Sequence, residues 1–115
     1  MPAKPKPTPG TAVRGSASGR PVMALLDLLG RRWALRLIWE LRDGPGTFRA
    51  LQAACGGVSS SVLSQRLAEL RRAGVVALGD DGYALTSEGR ELLAIYVPLE
   101  TWAERWAART RRSRA

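Results

Sequence analysis

The sequence predicts a mostly α-helical domain with a small β-hairpin near its C-terminal third. Three observations carry this. Apolar residues recur at helical spacing through four consecutive segments between Pro21 and Ala73. Two short β-prone runs then flank "GDDG", a hairpin signal. A final segment of helical periodicity, "SEGRELLAIYVPLETWAERWAART", closes the pattern.

The first 20 residues, "MPAKPKPTPGTAVRGSASGR", hold four prolines, three glycines and no aromatic. Such a stretch buries too little apolar surface to offset its ordering entropy, and residues 1–20 are read as a disordered basic arm. Pro21 suits a first helical turn, and "RPVMALLDLLG" sets Val22, Leu25, Leu28 and Leu29 on one face before Gly30. "RRWALRLIWELRDGPG" spaces Trp33, Leu37, Ile38 and Leu41 as a second helix, which Gly-Pro-Gly ends. In "TFRALQAACGG", Thr47 is a candidate N-cap, with Phe48, Leu51 and Cys55 inward. Pro98 lacks the N–H of a helix interior and is expected to kink or split the last helix, which Thr86 or Ser87 would cap.

A fourth helix follows Gly56-Gly57 after one tight turn, "GVSSSVLSQRLAELRRAGVV". At about 100° per residue, Leu67 and Leu70 fall within about 40° of Leu63, forming a stripe that Val62 and Ala73 extend. Ser61, Gln65, Ala68 and Arg72 lie opposite, with Ser64 beside them, while Arg66 and Glu69 flank the stripe. Ser59 or Ser60 supplies the N-cap, so the remaining serines are surplus to capping. Short hydroxyls and a glutamine amide match base edges and phosphates, although such a face is also ordinary solvent decoration. A short helix, a glycine turn, a second amphipathic helix and a hairpin together read as a winged helix-turn-helix.

Charge sharpens this reading. The chain carries +8, but residues 1–20 hold +4 and residues 105–115 hold +5, leaving nine arginines against ten acids between them. Basic ends bind phosphates without a fold, so specificity must come from uncharged groups of the middle. There is no histidine, which removes Ser-His and Cys-His triads and the usual zinc sites. Asp80 and Asp81 sit in a turn rather than as an acid/base pair, and neither "GDDG" nor "GPGT" has phosphate-loop surroundings. No enzymatic activity, metal or cofactor is expected. No apolar run reaches the roughly 18 residues of a membrane span, and no signal-peptide core precedes Pro21. With one cysteine, the expected location is the cytoplasm.

The stretch from Pro21 to Trp106 resembles the HxlR-type winged helix-turn-helix regulators, relatives of the MarR class. "LLGRRW", "GPGTFRALQ", "GVSSSVLSQRLAELRRAGVV", "YALTSEGRELL" and "LETW" carry the likeness in collinear order. The resemblance implies a homodimeric bacterial repressor or activator that places the 59–72 helix in the major groove of double-stranded DNA. It assigns residues 21–106 to the DNA-binding domain and 107–115 to a basic tail. Ser59, Ser61, Ser64, Gln65 and Arg66 then match positions facing DNA, and Ser60 beside them is a further DNA-binding candidate. Arg66 and Arg72 are expected at phosphates, with Thr47 and Arg49 opening the preceding helix against the backbone. Val22, Leu25, Leu29, Leu99, Trp102 and Trp106 are expected at the dimer interface.

Three departures matter. The wing is cut to "GDDG", whose two aspartates repel phosphate. A threonine, Thr47, stands where the family often has a basic residue. Arg20 precedes Pro21 where some members carry an oxidant-sensing cysteine, and Cys55 reads as a structural thiol. An unidentified small-molecule effector near Trp33 and the terminal helix is expected by analogy. The competing reading is a winged-helix module for protein or RNA assembly, its tails binding nucleic acid without sequence preference.

Overall fold

The computed structural model describes residues 19–114, so the expectation for the N-terminal arm lies almost wholly outside the described residues. Among the described residues, five helices and one hairpin follow in the order α1 (Pro21–Leu29), α2 (Ala34–Glu40), α3 (Phe48–Cys55), α4 (Ser60–Arg72), β1 (Val76–Gly79), β2 (Gly82–Leu85), α5 (Ser87–Arg114). No helix among the described residues is long and apolar enough to cross a membrane.

The core is built from apolar positions of different helices. Leu37, Ile38 and Leu41 from the second helix region and Leu63, Leu67 and Leu70 from α4 are its largest fully buried side chains. Each contributes about 1.5–3 kcal/mol by leaving water. Leu51, Cys55, Val58, Val75, Val76 and Leu85 complete the cluster with Leu28. The helical-wheel expectation for α4 therefore holds. In α1 it needs correction: Ala24 and Leu28 face the core, Leu29 packs against it, and Val22 is 46 % exposed.

Two boundaries differ from the sequence reading. The second helix starts at Ala34, because Trp33 adopts φ 78°, the one positive φ of a non-glycine among the described residues. That conformation interrupts the helix that the apolar spacing predicted. The terminal helix is not split: α5 runs from Ser87 to Arg114 with Pro98 inside it, and it continues through the segment read as a basic tail. Pro98 and Ala94 are both exposed, so water can reach the carbonyl that the proline leaves without a donor. Thr86 caps this helix, accepting from the Gly89 N–H at 3.0 Å while its hydroxyl donates to the Gly74 and Val75 carbonyls.

The hairpin pairs Val76 with Leu85, Ala77 with Ala84, Leu78 with Tyr83 and Gly79 with Gly82. Asp80 and Asp81 lie between Gly79 and Gly82, and the positive φ, +113°, falls on Gly82. A contact absent from any local pattern secures the wing. Gly46, in the loop before α3, exchanges two 2.8 Å backbone hydrogen bonds with Tyr83. Between α2 and α5, Trp39 meets Tyr96 edge to face at 6.3 Å, and the Arg42 guanidinium lies 4.1 Å from the Trp39 ring centroid.

Candidate nucleic-acid interface

Helices α3 and α4 form the helix-turn-helix. Thr47 caps α3, its hydroxyl accepting from the Ala50 N–H at 3.1 Å. Gly56 ends α3 with φ +47° and Gly57 follows at +89°, a reversal that side-chain-bearing residues resist. Val58 drops into the core, and Ser59 opens α4 by accepting from the Val62 N–H at 3.2 Å. Gln52 of α3 reaches across the turn and donates to the Ser60 hydroxyl at 3.0 Å. The serine run thus divides by role: Ser59 caps, Ser60 joins the two helices, and Ser61 lies 3.4 Å from the Ser59 hydroxyl.

Ser61, Ser64, Gln65 and Arg72 are all exposed on α4, opposite the buried leucines. Arg49 is exposed on α3, and Arg71 and Arg72 end α4, where cations also complement the helix dipole. Arg71 is an exposed cation that the helical wheel did not single out. The aspartates of the wing are exposed at its tip.

Arg66, expected at phosphate, is occupied internally. Its side chain is only 17 % exposed, its Nε donates to the Arg32 carbonyl at 2.8 Å, and a second nitrogen meets Glu69 Oε1 at 3.0 Å. Glu69 Oε2 is bound by Arg31, whose other nitrogen reaches Asp27 at 3.1 Å. The i,i+3 spacing of Arg66 and Glu69 was visible in the sequence. Their partner Arg31, 38 positions before Glu69, was not.

The residues expected at a dimer interface divide between core and surface. Leu99, Trp102 and Trp106 of α5 are 58 %, 48 % and 54 % exposed, and the two indoles stack at 6.0 Å with planes 11° apart. Leu25 is half-buried, whereas Leu29 already packs on the monomer's own core. The recess at Trp33, about 370 Å³, is lined by Leu29, Arg31, Arg32, Trp33, Leu35 and Arg36. Its walls come from α1, α2 and the turn between them, not from the terminal helix as the analogy implied. Cys55 is buried, and desolvation pushes its thiol above the ordinary range, with Arg36 opposing and Glu40 adding to the shift. That is the environment of an inert structural cysteine.

Comparison with known proteins agrees with this architecture. The family profile described as HxlR-like helix-turn-helix matches residues 28–111. The uncharacterised HTH-type transcriptional regulator YvaP of Bacillus subtilis is 33 % identical over 88 residues, covering 70 % of this chain and 82 % of its own. Quinone-bound YodB from B. subtilis superposes with a TM-score of 0.70 at 31 % identity, over 73 % of this chain and 96 % of that one. A MarR-family regulator from Enterococcus faecalis V583 gives a TM-score of 0.71 at 26 % identity, over 89 % and 99 % of the two chains. These relatives are transcriptional regulators rather than enzymes. The chain belongs to the HxlR-like helix-turn-helix family and is a winged-helix transcription regulator.

Proposed function

We propose that the chain acts as a homodimer in the cytoplasm, regulating transcription by reading an inverted-repeat site in double-stranded DNA. The observation that carries this is the α4 surface: Ser61, Ser64 and Gln65 are exposed on a helix whose opposite side is buried through three leucines. A rigid helix offering two short hydroxyls and an amide suits the major groove, where glutamine can pair bidentately with adenine. Arg49, Arg72 and the basic ends anchor phosphates and set register without carrying sequence information. Thr47, Ser59 and Ser60 would add contacts from the starts of α3 and α4, where two capping bonds and the Gln52–Ser60 bond hold them. Arg66 supports α4 from within.

The exposed apolar residues Val22 on α1 and Leu99, Trp102 and Trp106 on α5 support dimerisation, since a two-fold partner would cover them. A second copy also mirrors the symmetry of an inverted repeat. An unidentified small-molecule effector would enter at the recess by Trp33.

Selection of bound duplexes from genomic DNA, followed by salt titration on selected and random sequences, tests the reading. Gln65→Ala is expected to lose about 1–3 kcal/mol, roughly 5- to 150-fold, on the selected duplex. On random DNA it should change little. Unaltered specific affinity for Gln65→Ala, with all binding lost on removal of the basic ends, would instead establish non-specific binding through the tails.

A further inference from the structure

We propose that Glu69 is a positioning residue for DNA reading: it fixes the angle of α4 against α1 and so sets which half-site spacing the dimer accepts. The inference rests on the DNA-reading function proposed above.

Glu69 is 5 % exposed and is the one buried charged side chain among the described residues. Both of its oxygens are engaged, Oε2 by Arg31 and Oε1 by Arg66 at 3.0 Å. The two arginines are anchored in turn. Arg31 holds Asp27 of α1 at 3.1 Å, and Arg66 Nε holds the Arg32 carbonyl at 2.8 Å. Trp33 comes next with φ 78°, which aims the peptide carrying that carbonyl. The left-handed region is costly for a non-glycine residue and persists only where surrounding contacts demand it. Polar bonds thus run from α1, through its turn, to two residues of α4.

The leucine stripe cannot perform this task alone. Hydrophobic burial holds α4 against the core but is non-directional, so it tolerates small rotations and slides. Charge-assisted hydrogen bonds between a carboxylate and two guanidiniums are directional. Burying a carboxylate is an expensive way to gain stability, and apolar replacements of buried ion pairs are often neutral or stabilising. A buried charge that joins the helix bearing Ser61, Ser64 and Gln65 to α1, whose Val22 and Leu26 are exposed, has geometry as its return.

The test uses the full-length chain with Glu69→Gln and Arg31→Ala, the second at a side chain 24 % exposed, where water can enter beside Glu69 in place of the guanidinium. Binding is measured on the selected duplex, on versions with one base pair added to or removed from the spacer, and on random DNA. Circular dichroism and thermal melts report folding. For the folded variants, preference for the selected spacing over altered spacings should collapse by on the order of tenfold, within the usual range of coupling between sites. Random-duplex affinity should stay at the wild-type level. A purely structural Glu69 would lower all affinities by one common factor and leave the spacing ratio intact, which overturns the proposal. Should Glu69→Gln fail to fold, the Arg31→Ala ratio decides alone. A wild-type chain with no preferred duplex would overturn the DNA-reading function itself, and this proposal with it.

Discussion

Replacing Gly82 by alanine should be among the most destabilising changes available in the wing. Its φ is +113°, and a Cβ built there lies 2.6 Å from the Gly46 carbonyl oxygen, 2.8 Å from its carbon and 3.1 Å from Thr47 N. All three are backbone atoms, so no side chain can swing aside. Relief requires moving the loop before α3, which breaks the two Gly46–Tyr83 hydrogen bonds. Each such bond contributes about 0.5–1.5 kcal/mol net, and a left-handed alanine adds about 1–2 kcal/mol. The expected loss is therefore about 2–5 kcal/mol, a large part of the ~5–15 kcal/mol typical of a domain. Gly79, paired with Gly82 in the hairpin, is the control: its Cβ meets nothing within 4 Å and its φ is not positive. Urea unfolding followed by tryptophan fluorescence and circular dichroism compares the two variants. A Gly82→Ala midpoint matching that of Gly79→Ala, at equal slope, would refute the coupling of wing to loop.

Three further outcomes follow from the same geometry. Ser59→Ala should cost about 1 kcal/mol by removing the α4 cap, whereas Ser61→Ala should leave urea stability within about 0.5 kcal/mol; equal losses would contradict the division of the serine run. Asp80→Ala/Asp81→Ala should leave duplex affinity unchanged or tighten it, most visibly at low salt, and a clear weakening would mean the wing contributes attractive contacts. Cys55 should react with a thiol reagent far more slowly in the native protein near pH 8 than in urea, because burial holds its pKa up. The sign of that shift also predicts stability that is fully present at neutral pH and declines as pH rises past the unfolded thiol's value. Equal native and denatured labelling rates would place the thiol at the surface.

Much of this fold is readable in the sequence because its signals are short-ranged. A three-to-four-residue repeat of leucines identifies α4, and a hydroxyl one residue before Ser60 identifies its cap. Glycines at 56 and 57 mark the turn, and "GDDG" marks the hairpin. The same local logic misread Trp33 and allowed a split at Pro98 that α5 does not show. Apolar spacing says where a helix would profit from burial, but not that Trp33 would take a positive φ. A proline removes one donor, but whether the helix breaks depends on how the freed carbonyl is satisfied and what packs around it.

Local patterns in the chain carry the order of elements, the buried stripe of α4, the polar face with Ser61, Ser64 and Gln65, and the resemblance to the HxlR family. Tertiary structure alone decided which polar groups remain available. On a wheel Arg66 is a cation at the edge of a stripe, ready for phosphate; in the fold it is spent on Glu69 and the Arg32 carbonyl. Likewise Ser60 is drawn to Gln52, and Gly46 to Tyr83. The reason is physical: helical periodicity is set by backbone geometry within a few residues, whereas an ion pair between Arg31 and Glu69 exists only once packing has brought distant segments together.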